Sequence, residues 1–248
     1  MAGLEYPGLY ELKNRHHSEV AWIVGNGKSV RLEDLARIDS FISLGANRVY
    51  LAYGLTDWRP NYLVSADELM ISDFGEEMCA HHHGTVFFVS NTCPDFSNPN
   101  FLWIRSKGST PLKFATDVAE GVPPGGGTLI AAIQIGFFLG ITKFVLYGVD
   151  HKFSYETPVS VGNPRATAAG GDNHFIPNYR EGKPWQAPIP WQAESSFLMA
   201  HRFLQARGGW VLNATHGGEL NSLRRISFEK AVSVSELNLR LLEKHGST

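Results

Sequence analysis

The chain has 248 residues, with 22 Lys and Arg against 24 Asp and Glu, for a net charge of −2. A chain of this length buries roughly 70–75% of its unfolded surface, enough for one substantial core. Its 43% hydrophobic and 12% aromatic content excludes disorder, and the near-neutral charge lacks the basic excess of a nucleic-acid binder. Two cysteines, Cys79 and Cys93, with no C-x-x-C pair, supply neither a disulfide framework nor a structural zinc site. A reducing cytoplasm is the simplest home, and the N-terminal residues lack the basic-then-apolar order of a secretory signal. The longest apolar stretch, Leu129 to Thr142, is too short to span a bilayer and fits a buried helix. Peripheral association with the inner face of a membrane stays compatible with these facts.

In chain order, Val20 to Val24 is a continuous apolar run ending in Gly25-Asn26-Gly27-Lys28-Ser29. Such a run reads as a parallel strand buried on both faces, feeding a tight turn. Leu32, Leu35 and Ala36 then follow helical spacing, with Ser29 placed as the cap. Phe41 to Leu44, Tyr62 to Ala66, Thr85 to Ser90 and Phe101 to Arg105 read as further short strands. Gly125-Gly126-Gly127-Thr128 opens an apolar helix that runs to Gly140, followed by a strand from Lys143 to Asp150, an α/β crossover unit. The Gly/Pro-rich tract from His151 to Pro190 has no periodicity, and a stretch of that length is expected to be functional, as a lid. A helix from Trp191 to Arg207, a strand from Gly209 to Asn213 and a surface helix from Phe228 to His245 complete the chain. The alternation predicts one α/β domain over residues 1–248 with a lid subdomain at about 151–190. Its sheet is doubly wound and mostly parallel, with ligands at the strand C-termini.

Glycines after a first strand let backbone amides approach a phosphate at a helix N-terminus. The dinucleotide fingerprint G-x-G-x-x-G requires glycine where Val30 stands, and its acidic ribose contact is replaced by Asn47-Arg48. The G-x-x-x-x-G-K-[ST] pattern ends correctly at Gly27-Lys28-Ser29 but begins on Trp22. The first turn is therefore either a nucleotide contact of another kind or a plain strand–helix connection. The second turn offers free helix amides and the Thr128 hydroxyl to an anion or a ribose, or is simply a flexible N-cap. Two such turns favour a shared nucleotide cleft.

The segments WIVGNGKSV, LGANRVYL, GGGTLIAAIQIGFFLGITKFVLYGVDHKF, GDNHFIPNY and VLNATHGGEL, in that order, resemble the 6-hydroxymethylpterin diphosphokinase MptE-like family. They also resemble its relatives, the bacterial sialyltransferases of glycosyltransferase family 42. The likeness runs from about Val20 to Leu220. It implies a GT-A-like or Rossmann-like sheet with a mobile lid over a nucleotide-activated donor such as a CMP-sugar. By the same resemblance Asn26, Ser29, Asn47 and Gly127-Thr128 match donor contacts, and His174 matches a lid histidine that serves as general base. Lys28 departs from the family's proline and Gly125 from its basic residue. Of the family's two tyrosines that hold the leaving phosphate, one is matched by Tyr155, and Lys152 stands near the position of the other.

An imidazole has an unperturbed pKa near neutrality, suited to taking a hydroxyl proton. No D-x-D is present, so the leaving phosphate is expected to rest on helix amides, Lys152 and Tyr155 with no metal. The expected site comprises Gly25, Asn26, Gly27, Ser29, Asn47, Asp67, Gly126, Gly127, Thr128, Asp150, Lys152 and Tyr155 for the donor, and His174 as base. His216 is a second candidate base. Asp150 and Asp67 read equally as ligand contacts or as caps and anchors. Trp185 and Trp191 read first as anchors of the lid and second as stacking surfaces. Consecutive His81, His82 and His83 cannot converge on one ion, so no metal site is expected there. Arg224, Arg225 and Lys230 read as a solvated face.

The leading expectation is a metal-independent inverting glycosyltransferase acting on a glycan or small-molecule acceptor, with a homo-oligomer compatible. The alternatives are an ATP- and magnesium-dependent pyrophosphokinase, with Asp150, Asp67 and Asp172 as magnesium ligands, and a non-catalytic nucleotide-binding protein.

Overall fold

The computed structural model describes residues 7–98, 100–107, 113–123, 125–154, 167–168, 173–186 and 188–245. Seven parallel strands form one sheet: β1 (Val20–Val24), β2 (Ser43–Ala46), β3 (Tyr62–Ser65), β4 (Thr85–Ser90), β5 (Leu102–Arg105), β6 (Lys143–Tyr147) and, last in the chain, β9 (Trp210–Asn213). Their spatial order is β5-β4-β3-β2-β1-β6-β9. A two-residue antiparallel pair, β7 (Thr167–Ala168) with β8 (Trp185–Gln186), is the only regular structure described within the 151–190 tract.

All five residues of β1 are buried because helices cover both faces of the sheet, which is why the run is apolar without alternation. On one face lie α4 (Gly127–Phe138) and α5 (Pro190–Gln205), packed with Ala21, Ile23, Leu44, Val64, Phe87 and Leu146. On the other lie α2 (Leu32–Arg37), α3 (Glu68–His81) and α6 (Phe228–His245), packed with Trp22, Val24, Leu63, Phe88 and Tyr147. A short helix, α1 (Pro7–Tyr10), places Leu9 on the α4 face. The fold is thus a doubly wound α/β sheet, as the alternation of elements predicted. Fully buried side chains of the size of Trp22 and Phe88 each contribute on the order of 2–3 kcal/mol of hydrophobic stabilisation. α6 is also tied to β1 by polar contacts: Trp22 Nε1 donates to Ser235 Oγ (3.1 Å) and the Val20 amide to Asn238 Oδ1 (3.1 Å).

Several boundaries differ from the sequence reading for local reasons. β2 begins and ends two residues later than expected. Phe41 precedes the strand and stacks on Trp22, whereas Gly45 lies inside it, paired with Val24 and Leu63. A Cβ on Gly45 would meet Val49 at 2.6 Å and Pro60 at 2.9 Å, so that glycine reflects crowding and does not end the strand. Ser29 does not cap α2. Arg31 holds the N-cap position, and the Ser29 hydroxyl bonds Asp150 instead. α3 is an additional crossover helix, capped by Asp67, whose Oδ1 accepts from the Met70 amide at 3.1 Å. Its buried Met70, Ile71, Phe74, Met78 and Cys79 follow a helical spacing. Among the described residues no helix is long and apolar enough to cross a membrane.

His82 follows α3 and is only 2% exposed, with Nδ1 2.8 Å from the Tyr53 hydroxyl and no partner at Nε2. Burial lowers its pKa from 6.5 to about 4. The folded ring therefore stays neutral where the unfolded chain already binds a proton, so stability is intact above about pH 6.5 and declines from there toward pH 4. The full effect is roughly 3 kcal/mol. Urea midpoints measured from pH 7 to pH 4 are expected to fall in the native chain and to fall distinctly less in His82→Gln.

Candidate functional site

At the C-terminal edge of the sheet lies a cavity of about 580 Å³, within the range of small-molecule sites. It is bordered by the ends of β1, β2, β3, β4 and β6, by Ser106 after β5, by the start of α4 and by parts of the 151–190 tract. The chain leaves β1 for α2 on one face and leaves β6 for α5 on the other, and that divergence opens a crevice between neighbouring strands.

Both glycine turns face this cavity: Gly25, Asn26 and Gly27 line it from one side, Gly125, Gly126, Gly127 and Thr128 from another. The first turn is not an anion cradle of the expected kind. The amides of Gly25 and Gly27 donate to the Tyr147 and Gly148 carbonyls at 2.8 and 2.9 Å, and the Ser29 amide donates to Asp150 Oδ2 at 3.1 Å. Its glycines permit contact between the loops after β1 and β6. A Cβ on Gly25 would lie 2.5 Å from the Gly148 carbonyl oxygen, and one on Gly27 would lie 2.5 Å from the Asp150 carboxyl. What the turn gives the cavity is Asn26, 9% exposed. Its Nδ2 donates to the Ala46 carbonyl at 2.7 Å, and its Oδ1 has no protein partner. That oxygen is buried as well as unpaired, an unmet hydrogen-bonding capacity just behind the cavity wall.

The second turn is built differently. Gly126, the α4 N-cap, has the left-handed φ of +76°, and Gly127 follows at +72°, so the chain enters the helix abruptly at the cavity wall. The first-turn amides of a helix have no intrahelical partner, and with the macrodipole they attract negative charge. The Thr128 hydroxyl is committed to the protein: it donates to Asn47 Oδ1 at 3.1 Å and accepts from the Ala66 amide at 3.0 Å. Asn47 itself sits at φ +49°, a conformation asparagine tolerates, and its Oδ1 also accepts from the Ser65 hydroxyl at 2.8 Å. This relay locks the ends of β2 and β3 to the start of α4.

Asp67, Asp150, Lys152 and His174 also line the cavity. Asp150 accepts from both the amide and the hydroxyl of Ser29, which itself does not reach the cavity wall, and Asp67 caps α3. Lys152 pairs with Glu219 at 3.2 Å, both side chains more than half exposed. Such a pair is weak enough for the ammonium to turn to a phosphate. His174 stacks on Tyr179, ring centroids 3.8 Å apart and planes at 14°. The Phe175 amide donates to the Asn26 carbonyl at 3.0 Å, fixing this segment to the first turn. Tyr155 and Asp172 lie outside the described residues, as does the Trp185 side chain.

Three sequence-based roles change. His216 is not in the cavity: Nε2 lies 2.7 Å from Asp34 Oδ2, which also accepts from the Tyr147 hydroxyl at 2.7 Å. Trp191 is 71% exposed at the start of α5 and anchors nothing to the core. Arg225 is not a purely solvated charge, because its guanidinium donates to the carbonyls of Thr215 (2.7 Å), Leu220 (3.4 Å) and Gly217 and clamps that loop. Among the described residues, no three His, Cys, Asp or Glu side chains group as metal ligands.

The structure adds residues the sequence reading did not select. Arg48 is 1% exposed and reaches Tyr50, Glu77, Tyr179 and Glu181, while Arg180 is 8% exposed and reaches Asp73 and the Pro184 carbonyl. Burial pushes the Tyr179 phenol well above its ordinary pKa, so it is a neutral hydrogen-bonding group. Contacts such as Arg48 to Tyr179 span 131 positions in sequence and have no local signature.

No family model matches this chain, and no curated protein does. Among solved structures, the chain is similar to the MAf glycosyltransferase from Magnetospirillum magneticum AMB-1, with a TM-score of 0.52 and 14% identity over 94% of this chain. The chain spans 40% of that protein's length. At this identity the likeness is one of fold.

Replacing Thr128 with Val removes the hydroxyl while keeping its shape, leaving the Ala66 amide and Asn47 Oδ1 without that partner. The expected cost is about 1–3 kcal/mol, read as a lower urea midpoint with an unchanged far-UV spectrum.

Proposed function

We propose that this chain transfers a sugar from a nucleotide-activated donor to a hydroxyl acceptor, with inversion and without a metal ion. The observation that carries the reading is the convergence of Asn26, the α4 N-terminus, Lys152 and His174 on one strand-end cavity. The fold likeness to a glycosyltransferase is consistent with it.

Each group has a distinct task in such a transfer. Asn26 accepts a hydrogen bond from a donor group of the nucleoside. The α4 amides and Lys152 face the phosphate, where charge builds as the glycosidic bond breaks, and fixed donors there lower the barrier. The acceptor oxygen attacks the anomeric carbon, the nucleotide phosphate departs with the bonding pair, and His174 takes the acceptor proton. A CMP-sugar and a sialyltransferase-like specificity remain the first candidates to test, with a glycan or small molecule as acceptor.

The pyrophosphokinase alternative calls for magnesium on carboxylates. Of its candidate ligands, Asp150 serves Ser29 and Asp67 caps α3, so no observation favours it over sugar transfer.

Thermal-shift titration with CMP, UDP, GDP, ATP and their sugar conjugates is expected to show stabilisation by at least one nucleotide, by about 3 kcal/mol near 100 times its Kd. Absence of any shift across the panel would overturn the reading. With the stabilising sugar nucleotide, His174→Ala is expected to lower the turnover rate about 100-fold or more while leaving nucleotide affinity within about threefold.

A further inference from the structure

Residues 173–186, which the sequence reading assigned to a mobile lid, carry dense anchorage to the body of the fold. Arg48, immediately after cavity-lining Asn47, reaches one tyrosine of this segment from two directions. Its main-chain amide donates to the Tyr179 hydroxyl at 3.1 Å, and its Nη1 donates to the Tyr179 carbonyl at 2.6 Å. Its Nη2 bonds Glu181 at 2.6 Å and Glu77 at 3.0 Å, its Nε donates to the Tyr50 hydroxyl at 2.9 Å, and its guanidinium lies 3.7 Å over the Phe74 ring. The next residue, Arg180, is held by Asp73 Oδ2 at 2.7 Å and the Pro184 carbonyl at 2.5 Å, and its guanidinium lies 5.2 Å from the centre of the same Phe74 ring.

Tyr179 is thus gripped at its hydroxyl and at its carbonyl while its ring face carries the His174 imidazole, 3.8 Å away and nearly parallel. A tyrosine has two side-chain torsions, and with both ends fixed neither is free. The plane of His174 follows from the plane of Tyr179. We propose that Arg48 and Tyr179 are positioning residues for His174, setting the imidazole at the cavity wall before any ligand arrives. The proposal rests on the reading of His174 as proton acceptor. It departs from delivery of the base by closure of a lid, because the anchoring groups belong to the connection after β2, to α3 and to the segment itself and need no ligand to form. Arg48 suits this role better than lysine would. Its fork reaches the Tyr179 carbonyl and two carboxylates at once, while an ammonium has a single centre.

The test uses the whole chain with isotope-labelled histidine, the His174 ring signals being assigned by their loss in His174→Gln. Stacking on Tyr179 displaces those signals upfield. Tyr179→Leu should abolish the displacement, and Arg48→Met and Arg48→Lys, which act on the ring through Tyr179, should remove most of it. Arg59→Met, at an exposed arginine that bonds the Tyr53, Thr56 and Trp58 carbonyls and lies over the Tyr53 ring, should leave it in place. A folded Arg48→Met or Arg48→Lys chain with an unchanged His174 signal overturns the proposal. If both unfold, Tyr179→Phe decides, since it keeps the ring and deletes the hydroxyl that accepts the Arg48 amide: a partial return of the signal supports the proposal and an unchanged signal overturns it. With the sugar nucleotide that stabilises the chain, Arg48→Lys should lower kcat about tenfold or more with KM within about threefold. A change in KM alone overturns it. Wild-type turnover in His174→Ala would instead remove the base reading, and the ring-signal result would still report whether Arg48 orients the imidazole.

Discussion

Strands β1 and β6 lie side by side as the fifth and sixth of the seven in the sheet, and the backbone beyond their ends makes direct contact. The Gly25 and Gly27 amides bond the Tyr147 and Gly148 carbonyls, and Asp150 reaches across to Ser29. Any side chain on Gly25 would push the Gly148 carbonyl away. The contact matters because the two strands send the chain to opposite faces of the sheet. A crevice forms where the helices diverge, and its floor is the joined loops. The other walls of the cavity are built onto that floor. Asn26 reaches from the first loop to the end of β2, the Phe175 amide is held by the Asn26 carbonyl, and Asp150 accepts the Glu219 amide from the loop after β9.

Polar groups around the cavity divide into those that build it and those left for a ligand. Asn47 Oδ1, the Thr128 hydroxyl and the Asp150 carboxylate hold strand ends and loops to one another. Asn26, with its buried and unpaired Oδ1, and the first turn of α4 line the cavity instead. The exposed Lys152 pair can be exchanged for a ligand at little cost, because both partners remain solvated. The cavity wall thus carries the positive end of α4 and the Lys152 ammonium beside the committed carboxylates of Asp67 and Asp150. The buried pair of guanidiniums on Phe74 ties the His174 segment to α3. Arg48 and Arg180 are out of solvent, and each is matched with a carboxylate and a carbonyl. Removing one partner from such a cluster costs far more than an exposed pair does.

Much of the architecture was legible because parallel strands covered on both sides must be apolar throughout. The runs VAWIV and TVFFVS announce β1 and β4 at their observed limits, and the Gly126–Gly127 entry with its apolar sequel announces α4. α3 carries a helical spacing that a reading centred on strands passed over, although Asp67 marks its cap. The β2 boundary escaped for a different reason. Gly45 resembles a stop in sequence, and only the crowding by Val49 and Pro60 explains a glycine within a strand.

By itself, the sequence determined the fold class and the two glycine turns at one edge of the sheet, because each rests on local composition and spacing, whereas the candidacy of His174 came from the resemblance of its segment to a lid histidine. The tertiary structure decided what those features do. It joined the first turn's amides to β6, leaving Asn26 to face the cavity, and it withdrew Ser29 and His216 to other partners. It also brought Arg48 to Tyr179 across 131 positions. Hydrogen bonds between residues so far apart depend on how the strands are ordered and which face each helix covers, and no local pattern of residue types encodes that arrangement.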